Sequence, residues 1–155
     1  MIDAVFKTDV AVFNYRVAGI WILDQHVLLH KNVNDEHWAL PGGRVKITEE
    51  SKTGLRREFQ EELNLNVKVK RLIWTTENFF NYDGKSFHEI AFYYQVTSNN
   101  DYELKSGEFY GTEEDKPLVY KWVPIAKLDE ILLQPEFLKN GIKNIPIHPE
   151  HIIIK

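Results

Sequence analysis

The chain alternates between short apolar runs and polar punctuation, and most of those runs have the composition of strands. Ala4–Phe13 and Tyr15–Leu23 are rich in Val, Ile, Phe and Trp and predict two strands. Asp24-Gln25-His26 reads as a turn, Val27–His30 as a short strand, and Lys31–His37 as a polar loop. Trp38-Ala39-Leu40 is a brief strand that delivers the chain to Pro41-Gly42-Gly43, a loop whose backbone can approach another group closely. The period then changes. Leu55, Phe59 and Leu63 recur every four residues and predict a helix ending near Leu63, with Thr48 as its N-cap and Glu49 and Glu50 in its first turn. Beyond it, Leu65–Phe80 reads as extended, Tyr82-Asp83-Gly84-Lys85 as a hairpin turn, and Phe87–Val96 as the returning strand. Ser98–Lys116 is polar and reads as a long loop, and Leu118–Val123 as a further strand. A second helical region starts at Pro124 or Ile125, with Leu128, Ile131 and Leu132 on one face; Pro135 breaks it. Glu136–Asn140 is a further turn or short helix ended by Gly141, and Ile152-Ile153-Ile154 in the tail reads as an edge strand. Strands, helix, long hairpin and helix in that order predict an α/β or α+β fold with a mixed sheet.

Composition narrows the class. The 155 residues, 43% hydrophobic and 27% charged, suit one soluble domain with a substantial core. The absence of cysteine excludes disulfide frameworks and thiolate metal sites and fits a cytoplasmic protein. The N-terminus has neither the basic start nor the apolar core of a signal peptide, and the longest apolar run, Val17–Leu23, is far short of a membrane span. A net charge of −4 argues against a broad surface for duplex nucleic acid. The histidines show no zinc spacing, and neither a nucleophile elbow nor a phosphate loop of the Gly-Lys-Ser/Thr type is present.

The chemistry concentrates in Gly43–Leu65. At about 100° per residue, Glu58, Glu61 and Glu62 share one part of the predicted helix beside the apolar stripe. Carboxylates at i, i+3 and i+4 repel, each pair costing about 0.2–0.5 kcal/mol, so a cation is expected among them. Hard oxygen donors suit Mg²⁺ or Mn²⁺, although Arg57 could also neutralise part of the cluster. Glu49 reads either as a partner of the helix dipole or as support for the cluster.

This stretch resembles the Nudix box, in which Gly, Glu, Arg-Glu, an apolar residue, Glu-Glu, Gly and a second apolar residue stand at fixed spacing. Gly43, Glu49, Arg57, Glu58, Phe59, Glu61, Glu62 and Leu65 meet the pattern, and Asn64 replaces its last glycine. That position follows the helix end, where a left-handed residue is expected and Asn ranks next to Gly.

The resemblance implies a Nudix-like α/β/α sandwich and a metal-dependent hydrolase cleaving a pyrophosphate bond in a nucleoside diphosphate linked to another group. It implies that Glu61 and Glu62 bind metal directly and that Glu58 is a ligand or the general base. It also implies that a backbone carbonyl of the Gly42-Gly43 turn completes the site and that Arg57 orients the glutamates. Relatives often recruit a further carboxylate; Glu89 is the first candidate, with Glu77, Glu113 and Glu114 behind it. Tyr82 and Phe80, within a cluster of aromatics around the hairpin, are candidates for stacking on a base. ADP-ribose hydrolases of the family tend to carry a proline beyond the box; the window Phe80–Asp83 has none, so no strong ADP-ribose preference is expected. The expected partner is a small nucleotide pyrophosphate, with homodimerisation left open. Two alternatives stand beside hydrolysis of a small molecule: a nucleotide-sensing module without catalysis, and an RNA 5′-end pyrophosphohydrolase.

Overall fold

A computed structural model describes residues 1–98, 101–115 and 117–155. Among the described residues nine strands are formed: β1 (Val5–Lys7), β2 (Ala11–Leu23), β3 (His26–Asn32), β4 (Gly42–Arg44), β5 (Val67–Tyr82), β6 (Lys85–Ser98), β7 (Glu108–Tyr110), β8 (Leu118–Pro124) and β9 (Glu150–Ile154). Two α-helices, α1 (Ser51–Leu63) and α2 (Phe137–Lys143), and a 3-10 helix over Ile125–Glu130 complete the described elements. The sheet order is β7-β8-β3-β2-β6-β5-β9, with β1 and β4 also paired to β2. β2–β6 and β5–β9 are parallel and the other pairs antiparallel, so the sheet is mixed as expected.

Strand alternation divides β2 between two cores. Val17 and Trp21 join Leu55 and Phe59 of α1 on one face, while Ala18 and Ile20 join Leu138 and Ile142 of α2 and Leu128 of the 3-10 helix on the other. That is the α/β/α layering. Gly19, between them, lies under Phe59: a Cβ there would stand 3.1 Å from its ring.

Several local expectations need correcting. The first strand does not run from Ala4 to Phe13. The chain turns at Thr8, whose Oγ1 accepts from Ala11 N at 3.0 Å, and β2 then continues unbroken through Asn14. Thr48 does not cap α1. It sits at φ 70, the N-cap position belongs to Glu50, and no side chain caps the helix. Glu49 is therefore outside the first turn, and its carboxylate folds back to accept from Lys46 N at 3.0 Å. The supposed loop after β6 contains β7; Asn99, Asn100 and Lys116 lie outside the described residues. Gly141 does not end its helix but lies inside α2, where a Cβ would meet the Trp74 ring at 2.8 Å. The hairpin turn forms at Asp83 and Gly84, both with positive φ, and the Ile-rich tail is an edge strand on β5.

Candidate active site

The box is built on the junction of β2, β4 and α1. β4 pairs with β2 in the register Arg16↔Arg44, Val17↔Gly43 and Ala18↔Gly42. Gly42 lies so close to β2 that a Cβ would stand 2.0 Å from the Val17 carbonyl oxygen, and one on Gly43 would stand 2.4 Å from Glu58 Cδ. The two glycines thus let β4 pair tightly and let the Glu58 carboxylate rest on the turn's backbone.

Arg57 organises the carboxylates. Its Nε and Nη2 donate to Glu49 Oε2 and Oε1 at 2.8 and 3.0 Å, a bidentate pair. Nη2 also donates to the Arg44 carbonyl at 3.1 Å, and Nη1 to Glu58 Oε1 at 2.8 Å and Glu61 Oε2 at 3.3 Å. Hydrogen bonds from Arg57 hold the Glu49 carboxyl below its usual range, and those to Glu49 and then Glu58 push the guanidinium up. The cation expected among the glutamates is thus in part Arg57 itself. Glu49 Oε1 also lies against Gly54, where a Cβ would stand 2.8 Å away.

The three glutamates have unequal settings. Glu58 and Glu62 are 5% and 4% exposed, whereas the Glu61 side chain is 42% exposed. Glu62 Oε2 accepts from the Tyr120 hydroxyl at 2.8 Å. Burial, then the charge of Glu62 and that hydrogen bond, then the charges of Glu58 and Glu113, raise the Tyr120 phenol well above its ordinary value, so it stays a donor. Among the described residues Glu58 Oε2 has no hydrogen-bond partner although it is withdrawn from water. No group of three acidic or histidine side chains among them is already gathered as a metal site.

The last turn of α1 is held by the segment between β7 and β8. Thr112 N donates to the Glu62 carbonyl at 2.7 Å and Thr112 Oγ1 to that of Glu61 at 3.3 Å. Gly111 fits there without a side chain, a Cβ being 2.8 Å from the Glu62 oxygen. Asn64 closes the helix at φ 53 and ψ 40, the left-handed conformation its position requires.

Of the outlying candidates, Glu113 has a charge felt at the Tyr120 hydroxyl beside Glu62 and Glu58. Glu89 is on the opposite face of the sheet from α1, in line with Ala91 and Tyr93, and accepts from Asn14 Nδ2 at 2.9 Å. Glu77 pairs with His151 at 2.7 Å, and Glu114 is exposed. Phe80 and Tyr82 lie at the end of β5, where both contact Phe87. Tyr120 was not singled out by sequence: a tyrosine inside an apolar strand carries no local signal of the carboxylate it will meet.

A family model for the NUDIX domain matches residues 13–144, and the chain belongs to that family; it is a hydrolase. Among solved structures it is similar to a NUDIX hydrolase from Nitrosomonas europaea (21% identity, TM-score 0.59, covering 92% of this chain and 79% of that one). It is also similar to a MutT protein from Methanosarcina mazei Go1 (21%, 0.57, 88% and 94%) and an ADP-ribose pyrophosphatase from Streptococcus suis 89-1591 (15%, 0.54, 90% and 98%). No curated protein matches the chain.

Proposed function

We propose that the protein is a Mg²⁺- or Mn²⁺-dependent pyrophosphohydrolase acting on a nucleotide-containing diphosphate, without a strong preference for ADP-ribose. The observation that carries the metal reading is Glu58. Arg57 holds its Oε1, while Oε2 is buried without a partner beside the Gly43 backbone. Buried carboxylate oxygens are ordinarily satisfied, and an all-oxygen set of Glu58, Glu61, Glu62 and a Gly42-Gly43 carbonyl suits a hard divalent ion. When bound, the ion supplies neutralisation of phosphate charge and a lowered pKa for attacking water. The chain's own part is positional. Arg57 binds Glu58 and Glu61, Tyr120 binds Glu62, and in this reading Glu58 holds metal or accepts the water's proton. Glu113, next in sequence to the Thr112 that binds the Glu61 and Glu62 carbonyls, joins Glu89 as a candidate for the further carboxylate.

Purified protein tested on a panel of nucleoside diphosphate derivatives, with millimolar divalent ion or with excess chelator, decides the matter. Phosphate-ester products that appear only with the ion are expected. Full turnover in chelator overturns the metal reading, and a marked preference for ADP-ribose overturns the substrate reading.

A further inference from the structure

One buried polar row is not used by the box. β2, β6 and β5 align Asn14↔Glu89↔Asn78 side by side on the face opposite α1. The three residues are 4%, 9% and 9% exposed. Glu89 accepts one hydrogen bond, from Asn14 Nδ2, and the Asn78 amide makes none among the described residues. Glu89 thus has a single neutral donor, and no Lys, Arg or His among the described residues forms an ion pair with it; Arg16 lies one row along the same face, and its charge and that of Glu89 both act at Tyr93. Among the described residues Glu89 Oε1 and the Asn78 amide thus have no hydrogen-bond partner, and neither is sealed off from solvent.

The neighbouring rows complete a setting for a flat, polar-edged ligand. Two residues further along each strand, on the same face, Val12, Phe87 and Phe80 align. Phe80, 37% exposed, stacks on Phe87 with centroids 5.1 Å apart and planes 11° apart. On the other side of the polar row Arg16 donates to the Leu40 carbonyl at 3.2 Å. Asn14 is also near the box along the same strand. Three residues, about 10 Å at the usual rise, separate it from Val17, the partner of Gly43.

We propose that Asn14, Glu89 and Asn78 form the floor of a base-recognition subsite that selects a 2-amino-6-oxopurine, with Phe80 and Phe87 as its apolar wall. The proposal rests on the pyrophosphohydrolase reading for its connection to catalysis. Its chemistry follows from the free atoms. An ionised carboxylate only accepts, and an amide both donates and accepts. Guanine presents two adjacent N–H donors, N1 and the 2-amino group, next to the O6 acceptor. Glu89 takes the two donors and the Asn78 amide donates to O6. Adenine would set its N1 lone pair against the carboxylate, and uracil has one donor flanked by two carbonyls, so each leaves the buried oxygens badly matched.

Binding in chelator, where hydrolysis plays no part, tests this directly. Titration of the full chain with GMP, AMP and UMP, followed by calorimetry or amide chemical shifts, is expected to show GMP at least about tenfold tighter than either other nucleotide. Glu89→Gln should erase that preference, and Asn78→Ala should reduce it. Melting curves identify any variant that fails to fold, and Asn78→Asp, which sets a second negative charge beside Glu89, gives an independent arm that should abolish GMP binding. Equal binding of the three nucleotides by the unmodified chain, or a full GMP preference that survives in folded Glu89→Gln or folded Asn78→Asp, overturns the proposal. A GMP preference without metal-dependent hydrolysis of any pyrophosphate would instead overturn the proposed activity and leave the subsite standing.

Discussion

Glu58 and Glu89 are both carboxylates nearly withdrawn from water, one on each side of the same sheet, and they are kept there in different ways. Glu58 is supported from within its own segment: Arg57 is its neighbour in sequence, Glu49 shares that arginine, and Gly43 gives it room. Among the described residues Glu89 is supported by one side-chain hydrogen bond, across strands from Asn14, seventy-five positions away. The first arrangement is a charged network with a cation at its centre. The second is a neutral hydrogen bond beside an unused amide. A carboxylate held by an arginine has its charge offset within the protein, whereas one held by a single amide still depends on the water that reaches it or on a ligand that takes that water's place.

The largest expected effect lies on the Glu58 side. Glu58→Gln and Glu61→Gln should each cut turnover by about 10²–10⁴-fold, the range for removing a positioned acid–base group, while far-ultraviolet dichroism stays unchanged. Wild-type turnover in both would place the site elsewhere. Because Arg57 already offsets the charge of Glu61, Glu61→Gln should bring no gain in melting temperature.

Removing the shared cation should be the largest effect on stability. Arg57→Ala leaves Glu49 and Glu58, whose side chains are 3% and 6% exposed, without their partner. Stranding buried charges of this kind costs about 3 kcal/mol, read by denaturant unfolding. Arg57→Lys should recover only part of it, since an ammonium cannot reproduce the fork that holds Glu49 with two bonds. Full stability in Arg57→Ala would show that the network is incidental.

The same contrast explains what was legible in the sequence. The box could be read because its parts lie within one loop and one helix, where spacing translates into geometry. Even there the cap was misplaced: Thr48 has the right side chain, but a left-handed backbone puts the helix start beyond it. The mixed sheet and the edge strand on β5 were also readable, because alternation and β-branched runs are local signals. Tyr120 beside Glu62, Thr112 on the last carbonyls of α1, and the Asn14–Glu89–Asn78 row were not. Each depends on strand register between distant segments, and no single segment carries a trace of it. Gly141 misled for the same reason, since it answers to the Trp74 ring rather than to its own helix.

A smaller effect should come from acid. His30 is buried against Tyr120, with ring centroids 5.4 Å apart, and burial followed by the charge of Arg16 lowers its pKa to about 3. The unfolded chain takes up a proton near pH 6.5 and the folded one does not. Stability is therefore undiminished above that pH and falls as pH drops from about 6.5 towards 3, by about 2 kcal/mol at pH 5. Glu49, whose carboxyl is held low, adds a loss of the same sign below the ordinary carboxylate range. His30→Phe keeps a ring beside Tyr120 and should flatten the slope between pH 7 and pH 5; an unchanged slope would show that other groups set it.

The smallest effect is expected at Asn64, where two terms oppose each other. The residue is left-handed, at φ 53, a conformation that costs an L-residue about 1–2 kcal/mol and asparagine less. Glycine would remove that cost. It would also remove the hydrogen bond from Gln60 Nε2 to Asn64 Oδ1, 2.9 Å long and exposed, and would loosen the unfolded chain by about 0.4–1 kcal/mol. The backbone cap is unaffected, because Asn64 N donates to the Gln60 carbonyl at 3.0 Å whatever the side chain. Asn64→Gly should therefore change stability by less than about 1 kcal/mol, a shift of no more than about 2–4 °C for a chain of this size. Turnover should stay within about twofold, because the change in barrier is then under about 0.5 kcal/mol. A larger fall in turnover with an unchanged melting temperature would give the Asn64 side chain a part in the site, and would make the one departure from the box a functional substitution rather than an alternative way of ending the helix.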